Sequence, residues 1–105
     1  MEAEARDRVA LVTGGPGHAN ALSALYGALM CQSPMLLLSG HCATADLGRG
    51  GFQEMDQAGL AGPVTKASRL VTDASRLAQE VEAALHLAVA WPPGPVHLSL
   101  PSDVL

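Results

Sequence analysis

The sequence is poor in aromatic residues, cysteine and basic residues, and these shortages limit its core, its disulfides and its partners. One Phe, one Tyr and one Trp among 105 residues leave the core to leucine, valine, alanine and methionine. Two cysteines, Cys31 and Cys42, are too few for a disulfide framework. Six Lys and Arg against ten Asp and Glu give a net charge of −4, which argues against nucleic acid as a partner.

Long apolar runs are also missing. No uninterrupted apolar stretch approaches the roughly 20 residues that cross a bilayer, so no membrane association is expected. The N-terminus, MEAEARDR, carries charges of both signs and lacks the apolar centre of a signal peptide. We therefore expect one cytoplasmic domain, since 105 residues are enough for one domain and no more.

The apolar segments predict a parallel sheet. Strands are predicted at residues 8–13, 35–39 and 96–100, with a further short strand within 65–71. The runs VALV and MLLLSG are continuously apolar, which is typical of strands covered on both faces of a parallel sheet, whereas VHLSL alternates more.

Two helices with apolar stripes separate these strands. The first is predicted at residues 18–31 and the second at 74–91, with Asp73 as its N-cap. Residues 1–7 look like a frayed helical tail, residues 41–51 read as a loop, and Gly59–Pro63 reads as a break. The predicted buried stripes are Leu22, Leu25 and Leu29 in the first helix, and Leu77, Val81, Leu85 and Ala88 in the second.

This order predicts an α/β fold, a parallel sheet with helices on both faces in flavodoxin-like layering. Ligands of such sheets bind at the carboxyl ends of the strands. Those ends are Thr13–Gly17, Ser39–Thr44 and Pro101–Asp103.

The glycine-rich loop TGGPGHAN, residues 13–20, joins the first strand to the first helix. It is not a Walker loop, because no Gly-Lys-Ser/Thr follows. It is not a good dinucleotide fingerprint either, because His18 and Asn20 occupy positions where a glycine would be needed. Two explanations stay open: a tight strand-to-helix turn, or a backbone that a ligand approaches closely.

Four segments in order resemble one family. VALVTGGPGHAN is similar to a strand followed by a G-P-G-x-x-N loop, and SPMLLLSG to the next strand. GFQEMDQAGLAGPVTKAS is similar to an F-Q-E-x-D segment followed by P-V-T-K, and PPGPVHLSLPSDV to the closing strand. Together they resemble the N-terminal pyrimidine-binding (PYR) domain of thiamine-diphosphate-dependent enzymes, most closely the acetolactate synthase group. The resemblance covers almost all of residues 8–105.

The resemblance implies a set of cofactor contacts in the glycine loop. Gly15, Pro16, Gly17 and Asn20 match the loop that lies beside the cofactor in this family. Glycines permit close backbone approach, and proline fixes the turn. For Asn20 a second explanation stays open, a side-chain cap at the start of the helix.

The resemblance also implies substrate contacts. Phe52 would form an apolar wall, and Gln53 would hydrogen-bond a keto-acid oxygen. Both are therefore expected to converge with Gly14–Gly17 and Ser39–Cys42 on one edge of the sheet. Lys66 would attract a carboxylate substrate. Each has a plainer alternative, since Phe52 also suits the core of a chain poor in aromatics and a single lysine is most often solvated.

One stretch departs from the acetolactate synthase pattern. His41, Cys42 and Ala43 stand where relatives often carry Gln-Val-Pro, so the substrate stays open. A Cys42–His41 nucleophile is disfavoured, because neighbours in a chain rarely face one another and no orienting carboxylate is evident. The four histidines lack metal-ligand spacing, and His86 and His97 are expected to be packed or solvated.

Two parts of the family's chemistry are missing from the sequence. The glutamate that activates the cofactor lies well upstream of the glycine loop in the family, and Glu2 and Glu4 are too near that loop to match it. The Gly-Asp-Gly motif that anchors magnesium and diphosphate does not occur, so both are expected outside this chain. Residues 1–105 thus resemble a truncated PYR domain that lacks the first strand and the glutamate segment.

The implied function is part of a carboligase or lyase acting on 2-keto acids, with no catalytic residue of its own. Thiamine diphosphate would be shared with the cofactor-binding (PP) domain of a partner chain or of a missing C-terminal region. A homo-oligomer is expected, since an apolar sheet surface left uncovered favours association. FAD is a further possible cofactor, and the isolated chain is expected to be inactive.

Two alternatives remain from the sequence: a non-catalytic binding or regulatory module derived from such a domain, and a flavodoxin-like domain with an unrelated ligand. The reading frame upstream separates the first alternative from the enzyme. A strand ending in Glu there would favour the enzyme, and a stop codon would favour the module.

Overall fold

Four parallel strands form one sheet in the computed structural model, which describes residues 8–105. The strands are β1 (Val9–Val12), β2 (Met35–His41), β3 (Ala67–Leu70) and β4 (Pro95–Pro101), in the order β1-β2-β4-β3. The predicted parallel α/β fold is therefore confirmed. The predicted N-terminal tail, together with Glu2 and Glu4, lies outside the described residues.

Three α-helices connect the strands: α1 (Pro16–Met30), α2 (Gln57–Ala61) and α3 (Leu77–Val89). Short 3₁₀ turns occupy Thr44–Asp46, Gly62–Val64 and Ala74–Arg76. The carboxylate of Asp73 accepts a hydrogen bond from the Ser75 amide, so it caps the 3₁₀ turn that leads into α3. This agrees with its predicted role as the cap of this helical segment.

The ends of both predicted helices shift by one to three residues, and the second covers Leu77–Val89 rather than 74–91. Helix α1 begins at Pro16 rather than residue 18, because a proline at the first helical position has its φ already set. The break predicted at Gly59–Pro63 is wrong in its first half, where α2 runs to Ala61. Asp56 starts α2 by accepting a hydrogen bond from the Gly59 amide, which outweighs the low helix propensity of glycine.

Helices cover both faces of the sheet, as predicted. On one face α1 and α2 pack over a cluster centred on Leu25, Leu37 and Ala61. On the other face α3 packs over β2 and β4, where Leu36 and Leu98 are almost fully buried. The alternation of β4 sends Val96, Leu98 and Leu100 to this second core. The polar residues of β4, His97 and Ser99, point to the opposite face, under α1, where they are also fully buried.

The predicted helix stripes are mostly correct. Leu25 is fully buried in α1, and Ala88 is buried in α3. Leu85 is the exception, with 38% of its surface exposed, and Ala84 is buried in its place. On the helical wheel Leu85 lies roughly 70° from the centre of the stripe, whereas Ala84 lies within about 30° of it.

The expectation that β1 is covered on both faces is wrong for the described residues. Ala10 and Val12 pack beneath α1, but Val9 is 54% and Leu11 76% exposed on the opposite face. Helix α3 lies over β2 and β4, so it leaves this face of β1 open. Within residues 8–105, no helix has the length and apolar character of a membrane span.

Candidate functional site

The glycine loop, the end of β2 and the segment Phe52–Gln53 meet at the carboxyl edge of the sheet. A Cβ placed on Gly14 would lie 2.7 Å from the carbonyl oxygen of Gly40, and one on Gly15 would lie 2.8 Å from Cβ of Gln53. A cavity of about 230 Å³ opens there, lined by Gly14, Gly40, His41, Cys42, Phe52 and Gln53. The predicted convergence is therefore confirmed.

Three of the four residues predicted to touch the cofactor form the turn into α1. Gly15 is the N-cap with a φ of 61°, and Pro16 and Gly17 belong to the first helical turn. Asn20 lies one turn further along the helix, where its side chain is exposed. The capping alternative for Asn20 is wrong, because the helix begins four residues earlier. The cofactor role of all four residues stays a prediction.

Phe52 and Gln53 both have exposed side chains, although Gln53 lies against Gly15. Phe52 is 86% exposed, so its alternative assignment to the core is wrong. Gln53 has a φ of 60°, in the left-handed region that residues other than glycine rarely adopt. Strain of this kind costs about 1–3 kcal/mol and is concentrated at functional sites. The substrate role of both residues stays a prediction.

Lys66 lies at the opposite, amino edge of the sheet. Its backbone amide donates to the carbonyl of Pro95 over 2.8 Å. Its ammonium donates to the carbonyl oxygens of Leu87 and Ala90 at the end of α3, at 2.8 Å for Ala90. The fold does not bring Lys66 to the cavity, so its substrate role stays a prediction and its contacts are those of a helix cap.

Gln57 is a site residue that the sequence analysis missed. Its side-chain oxygen accepts a hydrogen bond from the Gly15 amide at 2.8 Å. Its amide nitrogen donates to the Gly40 carbonyl at 3.0 Å and to the Ser99 hydroxyl at 2.8 Å. With 1% of its surface exposed, Gln57 thus joins the glycine loop to β2 and β4. The signal for it was the polar alternation of β4, which requires a buried polar partner.

His18 anchors the same network from α1. It is fully buried, with Nδ1 2.8 Å from the Ser39 hydroxyl and Nε2 2.9 Å from the Gln57 carbonyl oxygen. A carbonyl only accepts, so Nε2 carries the proton and Nδ1 accepts from Ser39. Burial lowers the pKa of His18, and the nearby His41 lowers it further.

His97 lies beside His18, with ring centroids 4.5 Å apart. Its ring nitrogens contact the hydroxyls of Ser68 and Ser99, and burial lowers its pKa to about 3. His97 is therefore a packed, neutral residue, as expected, whereas His86 is exposed in the last turn of α3. Within residues 8–105, no three His, Cys, Asp or Glu side chains come together as a metal site.

Two carboxylates hold the loop that follows β2. Asp103 accepts hydrogen bonds from the amide and the hydroxyl of Thr44, the former over 2.9 Å. Glu54 accepts from the amides of Gly48 and Gly51 over 2.6 and 3.1 Å. The bond from the Thr44 hydroxyl lowers the pKa of Asp103, and the bond from the Gly48 amide lowers the pKa of Glu54.

His41 and Cys42 line the cavity without forming an active pair. His41 Nδ1 lies 3.5 Å from the sulfur, and Nε2 faces the carbonyl of Met55 at 3.3 Å. Burial raises the pKa of the Cys42 thiol, and the charges of Glu54 and Asp46 raise it further. Since only the thiolate is a strong nucleophile, this arrangement supports the expectation that Cys42 is not one.

Comparison with known proteins shows the family to which the chain belongs. Residues 2–60, more than half of the chain, match the family described as thiamine pyrophosphate enzyme, N-terminal TPP binding domain. The chain is 42% identical over 97 residues to the acetolactate synthase isozyme 3 large subunit of Escherichia coli (strain K12), covering 92% of this chain and 17% of that protein.

Two further relatives are similar over the same stretch, and one of them is named for a different activity. The chain is 40% identical over 97 residues to 2-hydroxyacyl-CoA lyase 2 of Danio rerio, covering 92% of this chain and 16% of that protein. It is 38% identical over 96 residues to the mitochondrial acetolactate synthase of Schizosaccharomyces pombe, covering 91% of this chain and 14% of that protein. The chain thus spans about a sixth of the length of these relatives. It belongs to the family of thiamine pyrophosphate enzyme N-terminal TPP binding domains.

Proposed function

We propose that this chain is part of a thiamine-diphosphate-dependent carboligase or lyase that acts on 2-keto acids. In this proposal Gly15, Pro16, Gly17 and Asn20 lie along the aminopyrimidine side of the cofactor. The observation that carries it is the strained backbone of Gln53, held against the glycine loop beside an exposed Phe52. A strained backbone at Gln53 and an exposed phenyl ring at Phe52, both at the cavity, are better explained by contact with a ligand than by packing within the fold.

The cavity at the carboxyl edge suits the cofactor. Its floor includes Gly14 and Gly40, whose backbones pack so closely that a Cβ on Gly14 would lie 2.7 Å from the Gly40 carbonyl oxygen. In this proposal the aminopyrimidine ring lies against the peptide groups of this floor. When bound, thiamine diphosphate supplies carbanion stabilisation. This chain's residues supply the walls: Phe52 excludes water from one side, and Gln53 orients a keto-acid oxygen.

The remaining parts of the reaction come from outside residues 8–105 in this proposal. The activating glutamate, the magnesium and the diphosphate anchor belong to other segments, and the PP domain of a partner chain completes the site. The proposal therefore includes a homo-oligomer, and Lys66 reaches substrate only in that oligomer. FAD is an additional cofactor that some members of the proposed enzyme group would bind. The proposal includes a cytoplasmic location, which suits the free thiols of Cys31 and Cys42.

A segment exchange tests the proposal. Residues 8–105 replace the matching segment of the E. coli acetolactate synthase isozyme 3 large subunit, which keeps that protein's own remaining segments. We expect the chimera to form acetolactate from pyruvate, with a dependence on thiamine diphosphate. The same chimera with Gly15→Asp is the control, and we expect it to be inactive because the new side chain fills the contact between Gly15 and Gln53.

A folded chimera that binds the cofactor but releases no acetolactate contradicts the 2-keto-acid assignment. The similarity to a 2-hydroxyacyl-CoA lyase supplies the second substrate for that assay. Cleavage of a 2-hydroxyacyl-CoA without acetolactate formation would assign the chain to the lyases. A folded chimera that does not bind the cofactor contradicts the proposal as a whole and favours a non-catalytic module.

A further inference from the structure

Gln57 ties three segments of the carboxyl edge together through one side chain. Its carboxamide accepts from the amide of Gly15 and donates to Gly40 and Ser99, at distances of 2.8–3.0 Å. We propose that Gln57 is a positioning residue, which sets the glycine loop against the Phe52–Gln53 segment. The inference deepens the proposed function and depends on it, since that function gives the two segments their ligands.

The short segment from Gln53 to Gln57 is fixed at both ends. The backbone carbonyl of Gln57 is held by His18 from α1, so the start of α2 cannot shift without breaking a buried hydrogen bond. Gln53 lies four residues before Gln57 and packs directly on Gly15. A displacement of the Gln57 side chain therefore changes the separation between the cofactor side and the substrate side of the cavity.

Glutamine fits this position because the site needs an acceptor and a donor on one planar group. The Gly15 amide can only donate and the Gly40 carbonyl can only accept, so the two ends of the side chain cannot be exchanged. Gln57→Glu keeps the shape and the acceptor. When ionised it turns a bare carboxylate oxygen toward the Gly40 carbonyl, and when protonated it regains one donor.

Because the two protonation states of the Gln57→Glu side chain differ in this hydrogen bond, the effect of the substitution should depend on pH, whereas an effect of lost packing should not. Burial raises the pKa of a carboxylic acid above its ordinary value of about 4.3. The Gln57→Glu variant therefore recovers the contact as pH falls toward that raised value. The titratable groups near Gln57 are His18 and His97, whose pKa values are lowered, and three side chains that line the adjoining cavity with it, His41, Glu54 and Asp56. The wild-type chain carries no acid at this position and serves as the reference.

The test is hydrogen exchange at the Gly15 amide in the full chain, read by NMR as a protection factor corrected for intrinsic exchange. At neutral pH we expect Gln57→Glu to lower this protection by about 10-fold or more, because repulsion between the carboxylate and the Gly40 carbonyl oxygen pushes the side chain away from the Gly15 amide. We expect recovery on acidification for Gln57→Glu and none for Gln57→Met, which keeps the volume without the hydrogen bonds. Thr65→Ala is the matched control, because it removes the bond to the Ala61 carbonyl at the end of α2 without touching the loop.

Unchanged protection at Gly15 in both Gln57 variants overturns the inference, as does equal loss in Thr65→Ala. Loss in Gln57→Glu without recovery in acid also overturns it, because that result reports packing alone. In the active chimera, Gln57→Glu should weaken thiamine diphosphate binding by about 10-fold at neutral pH and less in acid. An inactive wild-type chimera counts against the proposed function, and the exchange data then decide the positioning role by themselves.

Discussion

At the scale of single residues, Gly15 is where the backbone of the site is most constrained. Its φ of 61° disfavours any side chain, and an added Cβ would meet Gln53 at 2.8 Å. We expect Gly15→Ala to lower the free energy of unfolding by about 2 kcal/mol, from backbone strain and overlap together. Urea denaturation of the two chains measures this difference.

The matched control for Gly15 is another glycine of the same helix. Gly27 lies exposed in α1 with nothing within 4 Å of an added Cβ. Gly27→Ala should therefore stabilise the chain by about 0.5–1 kcal/mol, because alanine loses less conformational entropy in a helix. Equal effects of the two substitutions would contradict the constrained geometry of Gly15.

For Lys66, the substrate role implied by the resemblance differs from the contacts in the structure, which are with the end of α3. Its ammonium donates to the last carbonyls of α3, which carry the negative end of the helix dipole. We expect Lys66→Met to lower the free energy of unfolding by about 0.5–1 kcal/mol, and Lys66→Arg to lower it less. If Lys66→Met leaves stability unchanged but raises the KM for pyruvate in the chimera, the substrate role is correct and the cap is not.

At the scale of elements, the loop after β2 depends on two ionised carboxylates. Asp103 holds Thr44, and Glu54 holds Gly48, with both pKa values lowered by these hydrogen bonds. A lowered folded-state pKa contributes stability above the unfolded value of about 4, and that contribution is lost as pH falls through the folded value. We expect exchange protection of the Thr44 and Gly48 amides to be present at about pH 6 and lost toward about pH 3.

Single amide substitutions separate the two anchors of this loop. Asp103→Asn should make the protection of Thr44 independent of pH while Gly48 keeps its dependence, and Glu54→Gln should do the reverse. Amide exchange across the acid range measures both. If neither substitution alters the pH profile, other groups titrate the loop and the two carboxylates do not hold it.

The elements also show what the sequence can predict. Apolar runs specify strands wherever both faces are covered, as in β2, where Leu36 and Leu37 are buried on opposite sides. The same kind of run does not predict how far coverage extends, and so Leu11 is exposed. Helix α2 was missed because it has only five residues and its stability comes from tertiary contacts of Gln57 rather than from local propensity. The meeting of the glycine loop with the end of β2 was predicted because parallel strands end at one edge, whereas the position of Phe52–Gln53 beside them was predicted from the family resemblance.

At the scale of the whole molecule, the open face of β1 predicts association. Val9 and Leu11 expose apolar side chains, and no element among residues 8–105 covers them. We expect the chain to self-associate in solution and Leu11→Lys to shift it toward monomer in sedimentation velocity. Met30→Lys is the control, since Met30 is 59% exposed but lies at the far end of α1. A wild-type chain that stays monomeric at its highest soluble concentration contradicts this prediction.

The isolated chain should not turn over pyruvate even with thiamine diphosphate and magnesium added. Its sequence has no Gly-Asp-Gly motif to anchor diphosphate, and loss of general acid–base assistance alone typically lowers rates by about 10²–10⁴-fold. Acetolactate formation by the purified chain measures this, with Gly15→Asp as the background. Saturable turnover above that background would contradict the prediction and would require an acid within this chain. Glu54 is poorly suited to that task, because the amides of Gly48 and Gly51 occupy its oxygens and lower its pKa.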